Sequence, residues 1–195
     1  MRGRAGADAA GSPRAWHDQG VSTAATSDPV VRRARTADVP AIVGLVEAYA
    51  RDRILLGKER VTLYESVQEF RVAEAAGAVV GCGALHVMWE DLAEVRTLAV
   101  DPAWRGRAVG ARILTELLGQ ARELGVRRVF CLTFEVEFFS RHGFRVIDGT
   151  PVPVHVYSEL LRSMDEGVAE FLDLARVKPN TLGNTRMLLE LPDTA

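Results

Sequence analysis

Glu94-Val-Arg-Thr-Leu-Ala-Val-Asp-Pro-Ala-Trp-Arg-Gly-Arg-Ala-Val-Gly-Ala-Arg-Ile-Leu114 is the stretch that decides the fold. Glu94–Val100 reads as a strand, Asp101-Pro102 as a turn, and the residues from Gly110 onward as an amphipathic helix. Between them lies Arg105-Gly-Arg-Ala-Val-Gly110, where no Ser, Thr, Asp or Asn stands ready to cap the helix. The first backbone N–H groups of such a helix lack an internal partner and sit at the positive end of its dipole. Small residues and arginines beside them suit the loop to an anion, above all a phosphate.

At 195 residues the chain has the length of one domain, enough for a full hydrophobic core. Hydrophobic residues make up 48% and charged residues 26%, a globular composition. A net charge of −2 gives no basic footprint for nucleic acid and little attraction to an anionic membrane. The apolar run Ala78–Trp89 is too short to span a bilayer. Neither a nucleic acid nor a membrane is therefore the expected partner. Cys82 and Cys131 lie in separate apolar runs and read as buried free thiols of a cytoplasmic protein, with a disulfide between them the alternative. Without a CxxC pair or clustered histidines, no metal is expected.

Residues 1–29 are rich in Ala, Gly, Ser, Asp and Arg without apolar periodicity, and are expected to form a disordered tail rather than a signal peptide. The domain occupies 30–195. Val30–Arg35 is a strand, and Thr36 is placed to cap a helix whose apolar face is Val39, Ile42, Leu45, Val46 and Tyr49. After a polar connection and a helical turn around Leu63–Val67, strands Phe70–Ala75 and Ala78–Trp89 form a hairpin at Ala76-Gly77. Ala93–Val100 is the next strand. Gly110–Leu124 is a long helix stopped by Gly125. Then come a strand at Val129–Phe134, a short helix at Val136–His142 and a return strand at Phe144–Ile147. The Pro-bearing segment Gly149–Val154 leads to a helical stretch, Ser158–Leu174, whose acidic face is expected either to be solvated or to cover the acceptor pocket. A turn-rich loop, Lys178–Gly183, precedes the last strand, Met187–Leu191. The fold class is α/β (α+β): a mixed, mostly antiparallel central sheet flanked by helices, with one strand–helix–strand crossover. An exposed edge strand leaves a homodimer open.

Arg105-Gly-Arg-Ala-Val-Gly110 at a helix start resembles the (Arg/Gln)-x-x-Gly-x-(Gly/Ala) signature of the GNAT N-acetyltransferases, as do Leu98-Ala-Val-Asp-Pro102 before it and Phe139-Ser-Arg-His-Gly-Phe144 after it. A narrower resemblance, to the short stand-alone N-acetylglutamate synthases of arginine biosynthesis, is carried by Gly81–His86, Glu94–Val100, Leu132–Phe139 and Lys178–Met187. The resemblance implies acetyl-CoA as donor. Its pyrophosphate would lie on Arg105, Gly106, Arg107, Ala108, Val109, Gly110, Ala111 and Arg112, and its pantetheine beside Leu98, Ala99 and Val100. It also implies transfer of acetyl to the α-amine of glutamate, with glutamine a further acceptor. Two positions depart from the general pattern. Ala108 replaces a Gly, which is tolerable if its φ stays negative. Phe139 stands where many relatives carry a proton-donating Tyr, and Phe donates no proton.

Only a neutral amine attacks a thioester, so a base is required. Glu94 is the first candidate, four residues before Leu98 and expected on the same face of the strand; Thr133 and Glu135, at the end of the next strand, are candidates for orienting water or protonating the thiolate. A dicarboxylate acceptor calls for cations, and the candidates are Lys58, Arg60, Arg96 and Arg186, with Thr185 beside the last. His86 is expected in the core or a pocket wall, and His142 and His155 have no partner at catalytic spacing. Two other readings stay open: a GNAT enzyme for a different amine (a peptide N-terminus, lysine, polyamine or drug), and a non-catalytic sensor of acetyl-CoA or an amino acid.

Overall fold

Ala76 and Gly77 adopt φ of +49° and +79°, the turn whose twist matches a right-handed hairpin, and so join β2 (Phe70–Ala75) to β3 (Ala78–Trp89). The computed structural model describes residues 28–51, 59–174 and 184–192. The expected tail up to residue 27, Lys58 and the Lys178–Gly183 loop lie outside the described residues. The other strands are β1 (Val30–Arg33), β4 (Leu92–Val100), β5 (Arg128–Thr133), β6 (Arg145–Val146) and β7 (Thr185–Glu190). They form a seven-stranded sheet in the order β1-β2-β3-β4-β5-β7-β6. Neighbours run antiparallel except β4 and β5, which are parallel and linked across the sheet by α3 (Val109–Glu123).

Three apolar clusters hold the layers together. On one face, Ile113, Leu114, Leu117 and Ala121 of α3 pack on Ala93, Val95, Val129, Cys131 and Met187, joined by Phe139 of α4 (Val136–Arg141). The opposite face is divided between two groups of helices. Val39, Ile42 and Val46 of α1 (Val39–Arg51), with Leu63 of α2 (Arg60–Glu65), cover Phe70, Val72, Cys82 and Ala99. Val156 and Leu160 of α5 (Val154–Leu160), with Val168 and Phe171 of α6 (Glu166–Phe171), cover Leu92, Phe130 and Leu188. Gly125, at φ +79°, ends α3 as expected: its N–H reaches Arg122 O at 3.0 Å and that of Val126 reaches Ala121 O at 2.9 Å.

The structure corrects two of these expectations. Thr36 is not a cap; it opens a single 3-10 turn, Thr36–Asp38, in which Asp38 Oδ2 accepts the Arg35 N–H at 2.7 Å. Ser158–Leu174 is not one helix but parts of α5 and α6, because Asp165 breaks the run and caps α6 by accepting the Val168 N–H at 3.1 Å. Nor is the acidic face simply solvated, since Asp165 turns inward to an arginine.

Candidate active site

β4 and β5 share a register only at Leu92↔Arg128, Ala93↔Val129 and Glu94↔Phe130, after which β5 continues to pair with β7 while β4 runs on to Val100. A cleft therefore opens between two parallel strands, lined on one side by the main chain from Val95 to Val100. Just before its outer end β4 bulges: Cys82 faces Ala99 but Ala84 faces Arg96, so Thr97 and Leu98 together oppose Gly83. Thr97 takes φ +59°, a rare conformation for a β-branched residue. The bulge reverses the alternation of side chains. Ala93 and Val95 face α3 before it, Leu98 and Val100 face α3 after it, and Ala99 faces α1. Glu94 and Leu98 consequently point to opposite faces, which corrects the same-face expectation.

The loop beyond β4 ends at an uncapped helix. Asp101 accepts the Ala103 N–H at 2.8 Å, Gly106 turns at φ +76°, and Ala108 occupies the N-cap of α3 without a side-chain bond. Ala108 has φ +57°, against the expected negative value, so a methyl group sits where glycine is ordinarily preferred. The Tyr49 hydroxyl donates to Val100 O at 2.6 Å and accepts from Arg105 Nε at 3.3 Å, while the Arg107 guanidinium covers the Trp104 ring at 4.9 Å. Arg105 and Arg107 thus stand at the loop. Arg112 turns away, donating to Pro29 O at 3.1 Å and pairing with Asp28 at 3.3 Å.

On the α6 face, Glu94 and Arg96 lie in a cluster of charges. Glu94 is 4% exposed, and its Oε2 is 3.9 Å from Arg96 Nη1. Arg96 Nη1 donates to Asp165 Oδ2 at 2.9 Å and Nη2 to Glu69 Oε2 at 3.0 Å; His86 Nδ1 lies 2.9 Å from Glu69 Oε1 and its Nε2 3.6 Å from Asp165 Oδ2. Burial works to raise the carboxyls of Glu69 and Asp165, but the hydrogen bonds and charges of His86 and Arg96 outweigh it and hold both below the usual range. The three carboxylates in turn hold Arg96 above its ordinary value against its own burial.

Residues 66–146 match the Acetyltransferase (GNAT) domain family. The amino-acid acetyltransferase of Mycobacterium tuberculosis is 64% identical over 166 residues, covering 84% of this chain and 95% of that protein. This chain belongs to the GNAT acetyltransferase family. A crystal structure of a Mycobacterium tuberculosis protein in complex with CoA and NLQ matches with a TM-score of 0.81 and 63% identity, over 84% of this chain and all 100% of that one. N-acetylglutamate synthase from Neisseria gonorrhoeae, complexed with coenzyme A and N-acetyl-glutamate, shares the fold at a TM-score of 0.69 and 24% identity, over 85% of this chain and 35% of that one.

Within this GNAT fold the remaining candidates separate. Arg186 on β7 shares the α6 face with Glu94 and Arg96: it donates to Phe171 O at the end of α6, and its Nε is buried without an acceptor among the described residues. Thr133 is buried on the α3 face at the end of β5, where its Oγ1 accepts the Glu135 N–H at 2.9 Å; this bond shapes the turn into α4. Glu135 is exposed, and Thr185 pairs with Thr133 in register. Arg60 opens α2 and is exposed. Phe139 is buried between Phe138 and Phe144, a packing residue. Glu69 and Asp165 escaped the sequence reading, although the Asp165-Glu-Gly167 pattern ahead of an apolar run is a legible cap signal.

Proposed function

We propose that this enzyme transfers the acetyl group of acetyl-CoA to the α-amine of L-glutamate, giving N-acetylglutamate in the first step of arginine biosynthesis, with L-glutamine a further acceptor. The observation that carries the reading is the open margin of β4 from Val95 to Val100, continuous with an uncapped helix start flanked by Arg105 and Arg107. These groups fit coenzyme A: main-chain N–H and C=O groups to pair with an amide-bearing arm, and helix-start N–H groups with arginines for a diphosphate. The match to a Mycobacterium tuberculosis amino-acid acetyltransferase supports an amino-acid acceptor. So does Arg186, whose buried Nε is suited to a carboxylate.

Acetyl-CoA supplies an activated acetyl group. The protein must provide a neutral amine, hold it, and stabilise the charge that builds on the thioester oxygen. Glu94 takes the ammonium proton, directly or through water; a C–N bond then forms, the C–S bond breaks, and the proton shed by the acylated nitrogen passes to the departing thiolate, which leaves as the thiol. A main-chain N–H near Leu98, where the bulge interrupts pairing with β3, is suited to the developing negative charge. Arg186 holds an acceptor carboxylate, while Arg96, bonded to Glu69 and Asp165, orders the wall beside it.

A second reading, a cationic acceptor, is favoured by the three carboxylates around Arg96. Thiol release measured over amino acids, polyamines and peptides separates the two: activity confined to polyamines or peptides overturns the amino-acid assignment. Glu94→Gln should lower turnover, with partial recovery at alkaline pH. A variant matching wild type across pH removes Glu94 as the base.

A further inference from the structure

Gly167 is buried at the second position of α6, directly against the Glu94 carboxylate. A Cβ at Gly167 would collide with Glu94 Oε2, lie 2.9 Å from Glu94 Cδ, and lie 3.1 Å from Asp165 Oδ1. Among the described residues no other helical glycine is pressed this way: a Cβ at Gly110 meets side chains only at 3.6 Å or more, and one at Gly44 or Gly119 meets nothing within 4 Å. The same helix is fastened at both ends by two arginines of this face. Asp165, its cap, receives Arg96 Nη1 at 2.9 Å, and Phe171 O, near its end, receives Arg186 Nη2. The charged and titratable groups that share this face with Glu94 are Glu69 from the turn before β2, His86, its register partner on β3, Arg96 from its own strand, Asp165 from the cap of α6 and Arg186 from β7.

We propose that α6 is the positioning element for Glu94, with Gly167 leaving room for its carboxylate and Asp165 pinning the helix start to Arg96 and His86. The physical argument is steric. Glu94 reaches this place only where the helix carries no side chain, and a methyl group at Gly167 would push away the mobile end of Glu94 rather than the helix backbone. A carboxylate displaced by about 1 Å from the proton it must remove loses on the order of a hundredfold in rate. The inference rests on Glu94 being the base, and it adds Gly167 and Asp165 as positioning residues that touch no reacting atom.

The test uses the full chain and steady-state thiol release across pH. Gly167→Ala should lower kcat by about a hundredfold, shift the limb of the pH profile that follows the base, and leave the KM for acetyl-CoA unchanged. The control Gly119→Ala, also in a helix, should match wild type. Glu94→Gln combined with Gly167→Ala should be no slower than the worse single variant, since both act on one group. An unchanged kcat and pH profile for folded Gly167→Ala, with Glu94→Gln impaired, overturns the positioning role alone; Glu94→Gln at wild-type rate overturns the base assignment beneath it. Should Gly167→Ala fail to fold, Asp165→Asn decides, because Asn still caps the helix but gives up the charge facing Arg96. It should lower kcat about tenfold without changing the KM for acetyl-CoA, and wild-type kcat in that variant overturns the proposal.

Discussion

Gly83 of β3 lies beneath Leu98 of β4, so close that a Cβ on Gly83 would fall 3.0 Å from Leu98 Cδ1 and 2.9 Å from Ile113 Cγ2. The bulge that turns Leu98 toward α3 therefore depends on a missing side chain in the neighbouring strand. Gly83→Ala should overpack this point and cost about 1–3 kcal/mol. Thermal unfolding should detect the loss as a shift of roughly 2–4 °C per kcal/mol. Because Leu98 moves with it, the KM for acetyl-CoA should rise more than that for the acceptor.

Ala108 and Gly106 should respond to exchange in opposite directions. Ala108→Gly relieves a left-handed conformation that costs a non-glycine residue roughly 1–2 kcal/mol, less the 0.5–1 kcal/mol of extra chain entropy glycine carries, so the melting temperature should rise slightly. Gly106→Ala places a methyl group at φ +76° and should lower it. Scanning calorimetry of both variants checks the signs, and coenzyme A titration should show weaker binding only for Gly106→Ala.

The Glu69 carboxyl is held below its unfolded value, near 4.3, so its contribution to stability is present above that pH and is lost as pH falls through the lower folded value. The stability gap between wild type and Glu69→Gln, from urea unfolding at a series of pH values, should be widest where the carboxyl is ionised and shrink as pH falls below about 4. A gap that widens toward acid would contradict the sign.

Arg96→Met would leave Glu69, Glu94 and Asp165 together without their shared cation. Removing one partner of a buried ionic group costs about 3–5 kcal/mol, and partial exposure here puts the expected loss at the lower end. Arg96→Lys should recover only part of it, since one ammonium does not span both Glu69 and Asp165 as the guanidinium does. Melting temperatures of the two variants give the comparison.

Cys82 is fully buried with its thiol pushed up to about 12, and burial raises Cys131 as well. Both should resist a thiol reagent in the native state and label only as the chain unfolds. Labelling of either faster than global opening would show that its strand opens locally.

Periodic elements were legible because one physical signal, burial of an apolar stripe, dictates both pattern and structure. Val39, Ile42 and Val46 of α1 and Ile113, Leu114 and Leu117 of α3 are all buried as their spacing required. The hairpin turn and the stop at Gly125 followed from local backbone chemistry. Thr97 and Ala108 were illegible for the opposite reason: neither residue type favours positive φ, and only pairing with β3 and the path into α3 impose it. The ionic cluster has no local signature either, since Arg96 meets Glu69 and Asp165 from 27 and 69 residues away.

With β4 and β5 bonded only from Leu92 to Glu94, the sheet itself is two leaves on a short spine, β1–β4 and β5–β7, bridged by α3 on one face and on the other by α5 and α6, which reach across to Leu92 and Arg96 of β4. Whatever stitches itself to the free margin of β4 therefore reinforces the molecule where it is least laced together. In such an architecture turnover and cohesion share one seam, so a ligand seated there should stabilise the fold.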